Sequence, residues 1–276
     1  MSENCTHDCS SCTSNCAERK ADPKSFLKPL NKYSKIQNVI GVISGKGGVG
    51  KSFVTCTLAC GCAAAGLKVG ILDADVTGPS VPRSFGITAR AMQNETGLLP
   101  AESKTGIKIM SVNLLLESEN TPVVWRGPVI SGVIKQFWTD VNWGELDYLF
   151  VDMPPGTGDV ALTVFQSLPV TGAVIVDTPQ SLVKMIVEKA LNMANMMHIP
   201  VLGIIENMST FICDQCGKRH DIFGESHTGE IAEAFQIPLL AQIPLRAEVR
   251  RLVDEGKIEN VQVEELRDFL AALCEK

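Results

Sequence analysis

The residues Gly45-Lys46-Gly47-Gly48-Val49-Gly50-Lys51-Ser52 have the types and spacing of a phosphate cradle. They satisfy every fixed position of G-x-x-x-x-G-K-[ST], a loop in which backbone N–H groups turn toward phosphate oxygens and a Cβ would obstruct that turn. Lys51 supplies a point charge to the β- and γ-phosphates. The Ser52 hydroxyl is placed to ligate Mg²⁺ at the start of a helix whose N-terminus favours anions. An apolar run at 39–43 precedes the loop and a helix-compatible segment at 53–65 follows it, the strand–loop–helix context that the motif requires.

Carboxylates stand where such a loop needs them. Ligands of open α/β sheets bind outside the carboxyl ends of the strands, and three apolar runs end in acid: 69–72 in Asp73-Ala74-Asp75, 149–151 in Asp152, and 175–176 in Asp177. Asp152 opens Asp152-Met153-Pro154-Pro155-Gly156-Thr157-Gly158-Asp159, which reads as a Walker B carboxylate near Mg²⁺ followed by a loop whose backbone senses a γ-phosphate. Asp75 is a candidate for orienting the attacking water or holding Mg²⁺ through water, and Asp177 reads as structural. Lys46 is not demanded by the template; alone it reads either as a solvated loop charge or as a second phosphate-directed cation.

The third source of chemistry is thiol. Cys213-Asp214-Gln215-Cys216 followed by Gly217 has metal-ligand spacing, which is shared by zinc knuckles, redox pairs and cluster sites. His220 nearby favours zinc. Two thiolates fill half of a four-ligand site, however, and a symmetric dimer presents Cys213 and Cys216 twice, matching the four thiolates of a [4Fe–4S] cluster. Cys5, Cys9, Cys12 and Cys16 follow C-x3-C-x2-C-x3-C, which can close a second site within one chain. The alternatives there are a second cluster, zinc with His7, or a metal-free tail. Cys56, Cys60, Cys62 and Cys274 sit in helix-like surroundings and read as small core residues.

Positioning these groups requires an α/β, doubly wound, mainly parallel sheet with helices on both faces. Strand runs at 39–44, 68–73, 107–112, 148–152, 173–177, 201–206 and 239–243 alternate with helical segments at 52–65, 129–139, 160–167, 181–196, 228–235, 247–255 and 263–274. Residues 1–37 are polar and aperiodic and read as a flexible Cys-containing tail; 38–276 read as one ATPase domain with a CxxC segment near 211–220. A formal charge of −6 in 276 residues argues against nucleic acid or anionic lipid as a partner. With no apolar leader and no run of membrane-spanning length, the expectation is a cytoplasmic protein.

Lys46 beside Gly47-Gly48-Val49-Gly50-Lys51-Ser52, with Asp75 and 152–159, resembles the deviant-Walker-A class of P-loop ATPases that contains MinD, ParA and the nitrogenase iron protein. In that class the extra lysine reaches across a dimer to the partner's phosphates. The residues 73–80, Trp125-Arg126-Gly127-Pro128, and Glu206-Asn207-Met208-Ser209 leading to Cys213 and Cys216 are more similar still to the Mrp/ApbC iron–sulfur cluster carriers. That resemblance, which runs from about Ile36 to Arg251, implies an ATP-hydrolysing homodimer that delivers a cluster to apo iron–sulfur proteins. It also implies that Asn207 bonds the adenine edge while the loop near Pro244 packs on the base. The N-terminal cysteine spacing differs from that of the eukaryotic scaffold relatives. Two rivals remain: a membrane- or DNA-bound positioning ATPase, disfavoured by Glu264, Glu265, Asp268 and Glu275 on the last amphipathic segment, and an electron-transfer ATPase.

Overall fold

Strand β1 (Lys35–Ile43) is buried through its second half and runs directly into the glycine-rich loop, so the geometry of the sheet sets the geometry of the site. The computed structural model describes residues 26–76, 78, 80–116, 127–156, 158–179, 183–213 and 215–275. Cys5, Cys9, Cys12 and Cys16 lie outside the described residues, as do Thr77, Pro79, Trp125, Arg126, Thr157 and Asp214. After β1 come α1 (Lys51–Ala64), β2 (Val69–Asp73), α2 (Val81–Ser84), β3 (Met92–Asn94), β4 (Gly97–Leu99), β5 (Ala101–Glu102) and β6 (Lys108–Met110). Then follow α3 (Gly127–Thr139), β7 (Glu145–Asp152), α4 (Asp159–Ser167), β8 (Gly172–Asp177), α5 (Val183–Met196) and β9 (Val201–Ile212). The chain continues through β10 (Arg219–His220), α6 (Thr228–Ala234), β11 (Leu239–Leu245), α7 (Ala247–Asp254) and α8 (Arg267–Cys274).

The sheet runs β11-β9-β8-β1-β7-β2-β6 with every one of these pairings parallel. These are the seven runs expected from the sequence. Buried parallel strands need apolar residues on both faces, which is why each reads as a continuous Val/Ile/Leu run. Alternation then divides the residues between two cores. Val39, Ile43, Leu72, Leu149 and Val151 pack with α3, α4, α5 and α6 on one face. Ile40, Val42, Ile71, Tyr148 and Phe150 pack with α1 and α8 on the other.

The differences from expectation lie at the margins. The boundary drawn at 37/38 falls inside β1, and residues before it are docked: the Trp138 indole donates to Lys28 O at 2.9 Å and Lys28 N–H to Ser167 O at 2.9 Å. Antiparallel β5 and β10 and the β3–β4 hairpin were not foreseen, being two or three residues each. The helix expected from 263 begins at Arg267, after a 3₁₀ turn over Glu264–Leu266. Cys56 and Cys62 are core residues as expected, whereas Cys60 and Cys274 are only half-buried. Among the described residues, no helix is long and apolar enough to cross a membrane.

Candidate functional site

Parallel register brings the acids together. Asp152 at the end of β7 pairs with Asp73 at the end of β2 and with Val42 of β1. On the far side of β1, Asp177 of β8 pairs with Glu206 of β9. The phosphate loop leaves β1 between these two pairs, and its helix α1 begins at Lys51.

Asp152 is fully buried and is the hub of the site. Its Oδ1 accepts from Lys51 Nζ at 2.7 Å and from Thr55 Oγ1 at 2.9 Å, and its Oδ2 accepts from Ser52 Oγ at 2.5 Å. Lys51 Nζ lies 3.8 Å from Asp75 Oδ2. The structure thus gathers Lys51, Ser52, Asp75 and Asp152, as the sequence motifs anticipated. Thr55 was missed. Its position one helical turn after Lys51 places both on the same face of α1, and that spacing was the available signal. Asp73 is buried beside this hub, accepting from Ser111 Oγ at 2.9 Å and from Asp75 N–H at 3.2 Å. Burial, with Asp152 adding to it, pushes Asp73 up to about 8 against the pull of Lys51 and the Ser111 hydrogen bond.

The loop walls a cavity with Lys46, the 47–53 backbone, Asp75, Ser80 and Pro155. An apolar pocket adjoins it, lined by Phe53, Asn207, Met208, Ile243, Pro244 and Val249, and shares Gly50, Phe53 and Val253 with the first. Gly50 cannot be replaced at this junction: its φ is 80°, and a Cβ would sit 2.1 Å from Asn207 Nδ2. Asn207 Nδ2 donates to Val49 O at 2.9 Å, so this amide anchors the phosphate loop as well as lining the pocket. Met208 has φ 55°, and the β9–β11 register shifts between Ile243 and Leu245, opening the sheet at Pro244.

Glu206 is buried in a network not foreseen from sequence, accepting from Thr228 Oγ1, from Ser226 Oγ at 2.5 Å and from Gln242 Nε2 at 2.9 Å. Neighbouring Asp177 accepts from Thr178 N–H at 2.8 Å, but among the described residues its buried Oδ2 has no hydrogen-bond partner. Burial pushes Asp177 up to about 6; the Thr178 N–H and the Lys46 charge oppose the rise, and Glu206 adds to it. A raised carboxyl binds its proton more tightly in the folded state, so its stabilising contribution is complete below pH 3.8 and is lost as pH rises through about 6. Asp177→Asn is therefore expected to flatten the stability profile. Between pH 4 and pH 7.5 the wild type loses about 2–3 kcal/mol more than the variant, measured by urea unfolding at each pH. Parallel profiles would show that Asp177 does not titrate in this window.

Cys213 and Cys216 do not line the phosphate-loop cavity. Strand β9 extends past the expected 201–206 to Ile212, and β10 returns antiparallel, Ile212 facing Arg219 and Phe211 facing His220. In the turn, Cys213 N–H donates to Lys218 O at 3.0 Å and Gly217 N–H to Cys213 O at 2.8 Å. Cys213 is half-buried and Cys216 exposed. His220 lies on the returning strand with its ring against Phe211 at 6.3 Å. Among the described residues, no three His, Cys, Asp or Glu side chains gather into a metal-holding group.

Residues 35–276 match the family described as ParA, NUBPL iron-transfer P-loop NTPase. An iron–sulfur cluster carrier protein of Clostridium perfringens is 48% identical over 240 residues, covering 84% of each chain. One of Methanocaldococcus jannaschii is 45% identical over 257 residues, covering 91% of this chain and 89% of its own. A nucleotide-binding protein from Archaeoglobus fulgidus, solved in complex with ADP, superposes with a TM-score of 0.76 at 44% identity, covering 85% of this chain and 92% of that one. The MinD cell division protein of Aquifex aeolicus shares the fold alone, with a TM-score of 0.58 at 20% identity over 87% of this chain and 97% of its own.

Proposed function

The chain belongs to the NUBPL iron-transfer P-loop NTPases of the ParA group, and from that premise we propose an ATP-driven carrier that holds a [4Fe–4S] cluster between two subunits and hands it to apoproteins. One observation carries this reading: β9 lines the base pocket with Asn207 and continues, past the irregularity at Met208, as the same strand to the turn holding Cys213 and Cys216. A shift at the nucleotide has one continuous strand through which to reach the thiolates.

In the mechanism the loop amides and Lys51 hold the β- and γ-phosphates, and the apolar pocket takes the base against Pro244. Hydroxyl and carboxylate oxygens are the hard ligands that Mg²⁺ prefers, so Ser52 and Asp152 fit that ion, which would neutralise phosphate charge when bound. Asp75, held against Lys51, orients the attacking water. Thr55 and Lys51 keep the Asp152 carboxylate aimed at the cradle. The chemistry of hydrolysis is then mainly positioning and charge neutralisation.

Lys46 serves the partner's phosphates in this reading. Lys46→Ala is expected to leave nucleotide affinity within about twofold while lowering hydrolysis by roughly 10²-fold or more. Titration of a fluorescent ATP analogue beside a phosphate-release assay checks both, and equal loss of the two would assign Lys46 to its own subunit. The carrier reading is tested by anaerobic loading with iron and sulfide, followed by mixing with an apo-ferredoxin. Transfer of intact cluster supports it; a loaded protein that keeps its cluster and instead reduces a partner on ATP addition supports the electron-transfer alternative. Cys5, Cys9, Cys12 and Cys16 are assigned to a separate metal site, a second cluster or zinc.

A further inference from the structure

The cysteines read as core filler include a pair in contact. Cys62, in the last turn of α1, is fully buried, and Cys274, in the last turn of α8, is half-buried; their Sγ atoms are 3.7 Å apart although 212 residues separate them in sequence. The two helices are held there by independent contacts. Gly61 lets α8 approach so closely that a Cβ would meet Leu270 Cδ1 at 2.4 Å. The Tyr148 hydroxyl donates to Leu273 O at 2.6 Å, fixing the last turn of α8 to β7. Two thiols fixed this close need only a small side-chain movement to reach the roughly 2.05 Å of a disulfide bond.

We propose that Cys62 and Cys274 form a reversible disulfide, driven by peroxide, that fastens α8 to the helix leading from the phosphate loop. The half-buried Cys274 reacts first. Its thiolate attacks one oxygen of hydrogen peroxide; the S–O bond forms, the O–O bond breaks, and the departing hydroxide takes up the thiol's proton as water. The Cys62 sulfur then attacks the sulfenic sulfur, the S–S bond forms, and the hydroxyl leaves as a second water with the Cys62 proton. Two thiols lose two electrons and one peroxide becomes two waters. Burial and the adjacent Cys274 push the Cys62 thiol up, so it is a poor first target for peroxide, and its role as the resolving thiol rests on its 3.7 Å contact with Cys274 Sγ. Closing so long a loop restricts the unfolded chain strongly, so the oxidised protein gains stability.

The experiment treats the reduced, metal-free full chain with equimolar hydrogen peroxide, blocks remaining thiols, and maps peptides by mass spectrometry beside a thermal melt. The expected result is a linked pair containing Cys62 and Cys274, two hydrogens lighter than the separate peptides, with Tm raised by about 5–10 °C; dithiothreitol reverses both. Cys274→Ser and Cys62→Ala are each expected to lose the linked pair and the Tm gain, whereas Cys60→Ser keeps them. Because Cys62 is buried and its variant risks misfolding, Cys274→Ser is the deciding case. Cys274 recovered as sulfinic acid, or linked to another cysteine, overturns the proposal, as does a Tm gain that survives Cys274→Ser.

Discussion

Lys51→Ala is expected to abolish ATP hydrolysis and to weaken nucleotide binding by more than about 100-fold, the largest effect of any single substitution in the phosphate site. Among the described side chains lining the cradle, Lys51 alone is both buried and paired to the buried Asp152 carboxylate, with Nζ 2.7 Å from its Oδ1. The same pairing makes the variant unstable. Asp152 is fully buried, and removing one partner of a buried ion pair costs about 3–5 kcal/mol. Loss of activity alone therefore would not separate a missing phosphate contact from a damaged fold. The double variant Lys51→Ala with Asp152→Asn makes that separation. It removes the stranded charge, so it is expected to recover about half or more of the lost stability in urea unfolding, yet no nucleotide affinity. Hydrolysis at the wild-type rate by folded Lys51→Ala protein would remove the ATPase assignment.

The sheet was legible in the sequence because burial on both faces leaves little freedom in what a parallel strand can contain. The runs at 68–73 and 148–152 fall within a few residues of β2 and β7, and their terminal acids meet in register as Asp73 and Asp152. The phosphate loop was legible for a similar reason: its function constrains backbone as well as side chain, and glycine records that constraint. What the sequence hid is what depends on contact between distant segments. Thr55 has an ordinary place inside a helix until β7 delivers Asp152 to it. Glu206 gains its partners from Ser226, Thr228 and Gln242, which arrive from the loop before α6, from α6 itself and from β11. Cys62 and Cys274 read as separate small residues until Gly61 brings their helices together. The docked segment before β1 was read as tail because its few anchors, such as Lys28 to Trp138, have no periodicity to betray them. Strand β9 was cut short at Glu206 because its later residues leave the apolar pattern while still pairing with β11 and β10.

Cys213→Ala with Cys216→Ala is expected to remove one cluster per dimer and all transfer to an apoprotein, with nucleotide affinity unchanged. The turn holds these two thiols, Cys213 half-buried and Cys216 exposed, beyond the end of the β9–β11 pairing and away from the phosphate loop. Within the described residues, His220 does not complete a site with them. In the proposed carrier, a cluster that takes four thiolates would draw two from each of two chains, with the twofold axis passing through it. The measurement uses a variant lacking residues 1–20, so that Cys5, Cys9, Cys12 and Cys16 contribute neither iron nor colour. After anaerobic loading, that truncated protein is expected to carry about four irons per dimer, and the truncated double variant none. Its affinity for ATP should stay within about twofold of the parent, because among the described residues no cysteine lines the two cavities beside the phosphate loop. A single Cys216→Ala change halves the ligand set to one thiolate per subunit and should release the cluster as completely as the double change. If the truncated double variant instead retains the visible charge-transfer absorbance and about four irons per dimer, the cluster lies elsewhere and the bridging arrangement is wrong.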